Sequence, residues 1–364
     1  MMGLEQALGI ALTLLFLADV FLTVLYARAG TGLLAPRWNR AAWTLLRAVA
    51  GLAGGRRGTV LSLAGPLIVV SLIGFWSTGF TLGAALVIQP ELGTAIRPSS
   101  GEARTDFVTA LMVAGNSLSI VGGGDYSPYT TGTRLLFLAN SLIGTSVLSL
   151  VLSYIVQIYS GLRERNALAL AVDLMTDGTG DAAVMLARLM PRGDPSDLKS
   201  ALGNLVGSLA ATKEAHHFYP LLFYFRFEEP RYAVSRFSFV LLDATTLIET
   251  ALDPQRYGGL ATCASVAAIR RGAWMLLETL GAHYPTADDR TDAPVGAVSR
   301  LGSYLAATRI LERAGIAVRP DAAEAYVARR QEWAPLVRRV APTLGYAMSE
   351  IDRRSPLAQT GVAD

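Results

Sequence analysis

Three long apolar runs constrain this chain more than any other feature of its sequence. They cover residues 4–27, 59–88 and 134–161. Each is longer than the roughly 20 residues that a helix needs to cross a hydrocarbon core of about 30 Å. The composition agrees, because 52% of the residues are hydrophobic and only 17% are charged. We therefore expect an all-α membrane protein with a soluble second half.

The first run, residues 4–27, is uncharged except for Glu5 and Asp19 and is predicted to be a transmembrane helix. A signal peptide cleaved after Ala29 is the alternative. No basic residue precedes the run, however, and the run is longer than the apolar core of a typical signal peptide. A carboxylate facing lipid is costly in mid-span, so we expect Asp19 to face another helix or a water-filled cavity.

A basic segment follows the first run, with six arginines and no acidic residue between residues 28 and 57. The positive-inside rule places this segment in the cytoplasm. The first helix would then cross the cell (inner) membrane with the N-terminus on the outside. Tryptophan and leucine alternate with arginine from Arg37 to Ala53, which predicts an amphipathic helix at the inner membrane surface. A plain cytoplasmic linker is the alternative.

The segment Ser117–Tyr126, with the sequence SLSIVGGGDY, lies between the second and third runs. Glycine adopts positive φ without strain, so Gly122 and Gly124 can hold an extended segment whose successive carbonyls point the same way. Four such segments around an axis would form rings of carbonyl oxygens able to replace the water shell of an ion. Three consecutive glycines alone would indicate only a flexible turn.

This segment and its flanks resemble the filter region of tetrameric potassium channels, whose subunits carry an outer helix, a pore helix, a filter and an inner helix. Ile120–Gly124 matches the TVGYG filter at three of five positions. Asp125 and Pro128 follow as in the G-Y-G-D-x-x-P stretch of the family. Asn116 stands where a pore-helix side chain often bonds that aspartate, and Gly144 stands at the usual inner-helix hinge.

The resemblance implies a homotetramer in the lipid bilayer that conducts monovalent cations, with potassium first. Filter carbonyls would hold potassium, which is the only metal or cofactor implied. No transition metal is expected, and no nucleic acid is expected as a partner. Asp125 and Asn116 would support the outer mouth, and Gly144 would be the gating hinge. The ion-binding residues would be Ser119, Ile120, Val121, Gly122, Gly123 and Gly124.

Two filter positions depart from the family pattern. Ile120 replaces the threonine whose hydroxyl completes the innermost ion site, and Gly123 replaces the aromatic residue that braces the filter. The tryptophan pair of the pore helix aligns with Met112 and Val113. Because glycine loses the most backbone entropy on ordering, we expect a softer filter with reduced selectivity. A membrane sensor or scaffold that keeps this architecture without conducting is the alternative function.

These features predict three parts of the chain. Residues 1–58 hold the first helix and the basic linker, residues 59–161 the pore domain, and residues 162–364 an all-helical cytoplasmic domain without a further span. The pore domain is divided into an outer helix over 59–88, a pore helix over 106–115 capped by Thr105 or Asp106, a filter over 119–125 and an inner helix over 134–161.

A row of polar residues recurs at every fourth position of the predicted inner helix. Such a row drifts around the helix, so only part of it can face a pore axis. Hydroxyls lining a wet cavity and small residues packing helix on helix are two open interpretations. The row consists of Ser141, Thr145, Ser149, Ser153 and Gln157.

No motif predicts an enzyme, since a Ser-His-Asp spacing, a P-loop and a metal-binding pattern are all missing from the sequence. The adjacent His216 and His217 could form a pH switch, and a helix end packed with aromatic residues is the alternative. They point in different directions on a helix and cannot bind one metal together. The single cysteine, Cys263, excludes an internal disulfide.

Overall fold

A computed structural model describes residues 3–26, 32–119, 124–283 and 297–354. Over these residues the chain is all-α, with two strands of three residues each. By its contacts the chain divides into two compact units. Unit 1 contains Met1–Leu46 and Pro66–Tyr159, and unit 2 contains Arg47–Gly65 and Ser160–Asp364.

Three helices among the described residues are long and apolar enough to cross a membrane. They are Leu4–Leu25, Ala64–Glu91 and Thr131–Met175. The helices α10 (Pro254–Ala261) and α11 (Ala264–His283), bent by 59°, would add a fourth span if they are counted as one segment. From the sequence, no span is expected after residue 161. The three long helices are consistent with the predicted membrane protein.

The first span is helix α1, Leu4–Val20, which continues as a π-helical turn over Phe21–Leu25. Helix α2, Ala35–Leu52, confirms the amphipathic helix predicted over residues 37–53. The predicted outer helix is broken at Leu63 into α3, Arg57–Ser62, and α4, Ala64–Ile88.

Asp19 is fully buried and joins three elements of unit 1. Its carboxylate accepts hydrogen bonds from the backbone N–H of Leu34 at 2.6 Å and of Ala35 at 3.2 Å, at the start of α2. It also accepts one from the indole N–H of Trp76 in α4 at 2.8 Å. A negative charge at a helix N-terminus satisfies N–H groups that have no partner within the helix. The prediction that Asp19 faces protein is thus confirmed.

Glycines allow α1 and α4 to approach closely. A Cβ atom on Gly9 would lie 2.6 Å from the carbonyl oxygen of Gly83, and a Cβ on Gly79 would lie 2.2 Å from the ring of Phe16. Small residues at such crossings let helix backbones pack together in membranes, where lipid gives no hydrophobic driving force between helices. These contacts fix the first span against the second.

The third span is the 45-residue helix α6, Thr131–Met175. The predicted end of this helix at Gly161 is wrong, because the helix continues to Met175. The residues after Gly161 are more polar, which suits an aqueous environment but does not interrupt a helical backbone. No proline occurs between Gly161 and Met175 to end the helix. Gly161 is a packing residue instead, because a Cβ there would lie 3.1 Å from that of Ala215.

Unit 2 is built around helix α9, Val234–Thr250, in which 15 consecutive residues from Val234 to Ile248 are buried. Helix α11 packs on α9 and on α8 (Ser196–Phe218), and α13 (Ala323–Thr343) packs on α9 and α11 to form its core. The unit also contains α7 (Ala182–Leu189), α12 (Ala297–Arg313) and α14 (Met348–Ile351).

A buried ionic network lies within unit 2. Asp243 of α9 accepts a hydrogen bond from the Tyr326 hydroxyl at 2.6 Å and pairs with Arg354 at 2.9 Å. Arg354 also donates from Nε to Asp181 at 2.9 Å, and Asp181 caps α7. Burial raises the pKa of Asp181, but the Arg354 guanidinium outweighs burial and holds that pKa below its usual value.

Candidate functional site

The candidate site begins with helix α5, Phe107–Leu118, which agrees with the short helix predicted over 106–115 and ends three residues later than expected. Asp106 is its N-cap, because its carboxylate accepts hydrogen bonds from Thr109 N at 3.0 Å and Thr109 Oγ1 at 2.8 Å. The backbone bond from Thr109, and then its hydroxyl, lower the pKa of Asp106. At about 1.5 Å per residue, α5 is too short to cross a membrane.

A buried hydrogen-bond chain ties α5 to α6. Asn140 Nδ2 donates to Ser117 Oγ at 2.9 Å, and Ser117 Oγ donates to the carbonyl of Ala114 at 2.8 Å. Sequence reasoning missed Asn140. The available signal was an amide in an apolar span, which is costly unless it has a polar partner inside the protein.

The C-terminal end of α5 also rests on α6 at Gly144. A Cβ atom on Gly144 would lie 1.8 Å from the carbonyl oxygen of Leu118. This carbonyl belongs to the last turn of α5, where carbonyls have no partner within the helix. Helix α6 is continuous through Gly144. The close approach therefore requires glycine at this position whether or not the helix bends there.

Ser119 ends α5 and turns the chain into an extended conformation, with φ −77° and ψ 151°. Its backbone N–H donates to the Gly115 carbonyl at 3.0 Å, and its hydroxyl donates to the Asn116 carbonyl at 3.2 Å. The predicted ion ligands Ile120, Val121, Gly122 and Gly123 lie outside the described residues.

Beyond these four positions, Asn116 lies against Gly124. A Cβ on Gly124 would lie 2.7 Å from Asn116 Nδ2, so a larger residue there would displace this amide. Between the described residues Asn116 and Asp125 no hydrogen bond is formed, which differs from the bond that the resemblance implies. Asn116 instead supports the backbone at the end of the glycine-rich segment.

The chain that leaves this segment is fixed to the preceding loop. The Asp125 carbonyl accepts hydrogen bonds from Ser99 N at 2.6 Å and Ser99 Oγ at 2.9 Å. The Tyr126 hydroxyl accepts from Arg104 N at 2.8 Å and donates to the Arg104 carbonyl at 3.1 Å. Strands β1, Ile96–Pro98, and β2, Tyr126–Pro128, pair antiparallel here. The Asp125 residue itself is exposed.

A cavity of about 570 Å³ lies beside α5 in unit 1. Hydroxyl, amide and carboxylate oxygens, the hard ligands that suit alkali and alkaline-earth cations, form part of its lining beside apolar side chains and the cationic Arg104. The structure thus brings most of the described site residues to one cavity. Its polar lining includes Asn116, Ser117, Ser119, Asp125 and Ser141.

The polar row of α6 is largely unpacked within the chain. Thr145, Ser149, Ser153 and Gln157 are exposed, and only Ser141 is half-buried. Only 11% of the most apolar 18-residue stretch of this helix is buried within the chain. Polar groups facing lipid would be costly, so these side chains require water or another protein surface beside them.

The histidine pair in unit 2 has an aromatic environment. His216 is fully buried, its Nδ1 lies 2.8 Å from the carbonyl of Thr212, and its ring centroid lies 4.5 Å from that of Phe223. Burial, followed by the charge of Arg165, lowers the pKa of His216 to about 3. His216 is therefore neutral at physiological pH, as expected for a helix end packed with aromatic residues.

Comparison with protein-family models, with curated proteins and with solved structures gives no match for this chain. A function must therefore be argued from the sequence and from the geometry of α5, α6 and the segment between them.

Proposed function

We propose that this protein is a homotetrameric membrane channel for monovalent cations, with potassium as the first candidate. The observation that carries the proposal is the contact of α5 with α6 at Gly144, followed by the return of the chain through Gly124 and Asp125. A helix too short to cross the membrane must turn back to the side from which it entered. Ser119 and Gly124, at the two ends of the glycine-rich segment, would then lie at the depth at which ions cross.

Carbonyl oxygens of Val121 to Gly124 from four copies would replace the water shell of the ion. Four Asp125 carboxylates at the outer mouth would raise the local cation concentration. No covalent chemistry is involved. The altered filter positions Ile120 and Gly123 lead us to expect weaker discrimination of potassium from sodium than in channels with the full motif.

The tetramer is supported by the need to bury irregular backbone. Non-helical backbone at membrane depth is tolerated only where it is buried in protein or lines water, and one copy of α5 and α6 cannot surround the filter segment. The exposed polar row of α6, which includes Ser149 and Ser153, would face the axis or a neighbouring copy. The arginines of residues 28–57 support a cytoplasmic location for unit 2.

The test is ion flux from liposomes that contain the purified full chain and a potassium gradient, with sodium as comparison. Mass measurement in detergent establishes the number of copies. We expect a tetramer that passes potassium, and slower flux in Asp125→Asn than in Asp253→Asn, a carboxylate far along the chain at the N-cap of α10. A stable monomer or dimer would remove the pore. Intact tetramers without flux would favour the sensor or scaffold.

A further inference from the structure

A seven-residue segment of unit 2, Leu222–Glu228, contacts the segments that lead into α4 and out of the apolar part of α6. We call it the 222–228 loop. Its first three residues are the end of a 3-10 helix over Pro220–Tyr224, and the remaining four are irregular. It is held chiefly by Arg226, a buried arginine that faces backbone carbonyls instead of a carboxylate. Its Nη1 donates to Gly58 at 2.9 Å, its Nε to Leu344 at 3.1 Å and its Nη2 to Gly345 at 3.3 Å.

The three carbonyls come from two separate parts of unit 2. Gly58 belongs to α3, just before α4, whereas Leu344 and Gly345 follow α13. The guanidinium also lies 4.6 Å from the ring centroid of Tyr346. A planar fork with donors on all three nitrogens can hold several carbonyls and stack on a ring at once, which a lysine cannot do. Arg226 therefore fixes the start of the α3–α4 segment to the helical domain.

The loop also touches the first turn of α4 itself. A Cβ atom on Gly65 would lie 2.6 Å from the ring of Phe225, so the ring lies directly on the helix backbone. A hydrogen bond of 3.4 Å joins Thr59 Oγ1 to Glu228 Oε1 beside it. These contacts leave no space for the loop to shift towards α4 without moving that helix.

The other side of the loop holds α6. The carbonyl of Leu222 accepts a hydrogen bond from Arg165 Nη1 at 2.9 Å, and a Leu222 methyl would lie 3.0 Å from a Cβ on Gly161. Arg165 is buried and also lies 5.6 Å from the ring centroid of Phe227. Gly161 and Arg165 are part of the same continuous helix as the polar row at Ser153.

We propose that the 222–228 loop is the coupling element through which the helical domain sets the positions of α4 and α6 together, and thereby regulates conduction. The proposal rests on the proposed channel function. Packed contacts have discrete arrangements, so a shift of the loop changes the ends of two helices at once. The 3-10 helix that begins the loop packs on α8, so a signal that shifts α8 would reach both helices through this loop.

The test compares two variants with two matched controls in the full chain. Arg226→Gln removes the carbonyl fork, and its control is Arg271→Gln at an exposed position of α11. Gly65→Ala pushes on Phe225, and its control is Gly74→Ala in the same helix, where an added Cβ meets nothing within 4 Å. Oligomer mass is checked first in every variant.

The reporter is Ser153→Cys in a Cys263→Ser background, reacted in liposomes with a charged thiol reagent. We expect the reaction rate at residue 153 to change about fivefold or more in Arg226→Gln and Gly65→Ala and to stay at the wild-type value in both controls. Potassium flux should change in the same variants. Should Arg226→Gln fail to assemble, Gly65→Ala alone decides.

Unchanged thiol rates in assembled Gly65→Ala would overturn the coupling, and so would altered thiol rates with unaltered potassium flux. Wild-type tetramers that pass no potassium would instead remove the channel function. In that case the thiol rates still decide whether the loop moves α6, so the two failures are distinguishable.

Discussion

The carbonyl oxygen of Leu118 lies so close to Gly144 that a Cβ atom there would be 1.8 Å from it. One helix thus ends directly on the backbone of another. The end of α5 and the course of the chain into Ser119 are set by the position of α6, with the hydrogen bond from Asn140 to Ser117 one turn away.

Gly144→Ala is expected to lower the thermal midpoint of the protein in detergent, because α5 must move away and overpacking costs about 1–3 kcal/mol. Gly132→Ala, in the same helix but with nothing within 4 Å of an added Cβ, is the control and should match or exceed the wild type. If α6 only hinges at Gly144, the two alanine variants will melt together. The measurement is fluorescence-detected melting of the assembled protein.

Asp19→Ala should destabilise unit 1 by about 2–4 kcal/mol, because it removes a helix cap and leaves the Trp76 indole N–H buried without its acceptor. Asp19→Asn should lose less, since one amide oxygen remains to accept from Leu34 and Ala35. Glu5→Gln, at an exposed position of α1, is the control. Melting midpoints that are equal for all three variants would contradict the capping role.

Local signals were sufficient for several elements of the fold. The Asp106 cap was recognisable because a carboxylate precedes an apolar helix and its partner, Thr109, is three residues away. The long apolar runs predicted α1, α4 and most of α6 from length alone. The single outer helix predicted over 59–88 is instead broken at Leu63, before α4.

Long-range contacts could not be predicted in the same way. Arg226 meets Gly58 and Gly345, which are more than 100 residues from it along the chain. No spacing rule relates such positions, and a backbone carbonyl carries no sequence signature. Likewise, Gly144 was interpreted as a hinge from its place in a family pattern, whereas its contact with Leu118 depends on where α5 ends.

Arg354→Met should reduce the free energy of unfolding of unit 2 by about 3–5 kcal/mol, because it leaves Asp181 and Asp243 as buried charges without this partner. Arg319→Met removes an exposed pair with Asp321 and should cost less than about 1 kcal/mol. Urea unfolding of the full chain measures both. Adding Asp181→Asn to Arg354→Met should recover part of the loss, and a loss that does not depend on Asp181 would speak against the ion pair as its cause.

Acidification should destabilise the packing around His216, and the direction follows from its pKa. Unfolding releases the ring from burial, so its pKa returns from about 3 to the ordinary 6.5. Between these values the unfolded state binds more protons, and stability falls as pH falls through the window, by up to about 1.4 kcal/mol per pH unit. Arg165 and Lys213 are the charged groups that face the ring, and both oppose its protonation.

The check is urea unfolding of the full chain at several pH values between 7.5 and 4.5, which lies above the range in which Asp181 titrates. His216→Leu removes the titrating ring and should flatten the pH dependence, whereas His217→Leu, at the half-buried neighbouring position, should leave the wild-type slope. Because Nε2 of His216 has no partner among the described residues, leucine leaves no bonded group behind on that side. Equal slopes in the two variants would show that the acid sensitivity arises elsewhere in the unit.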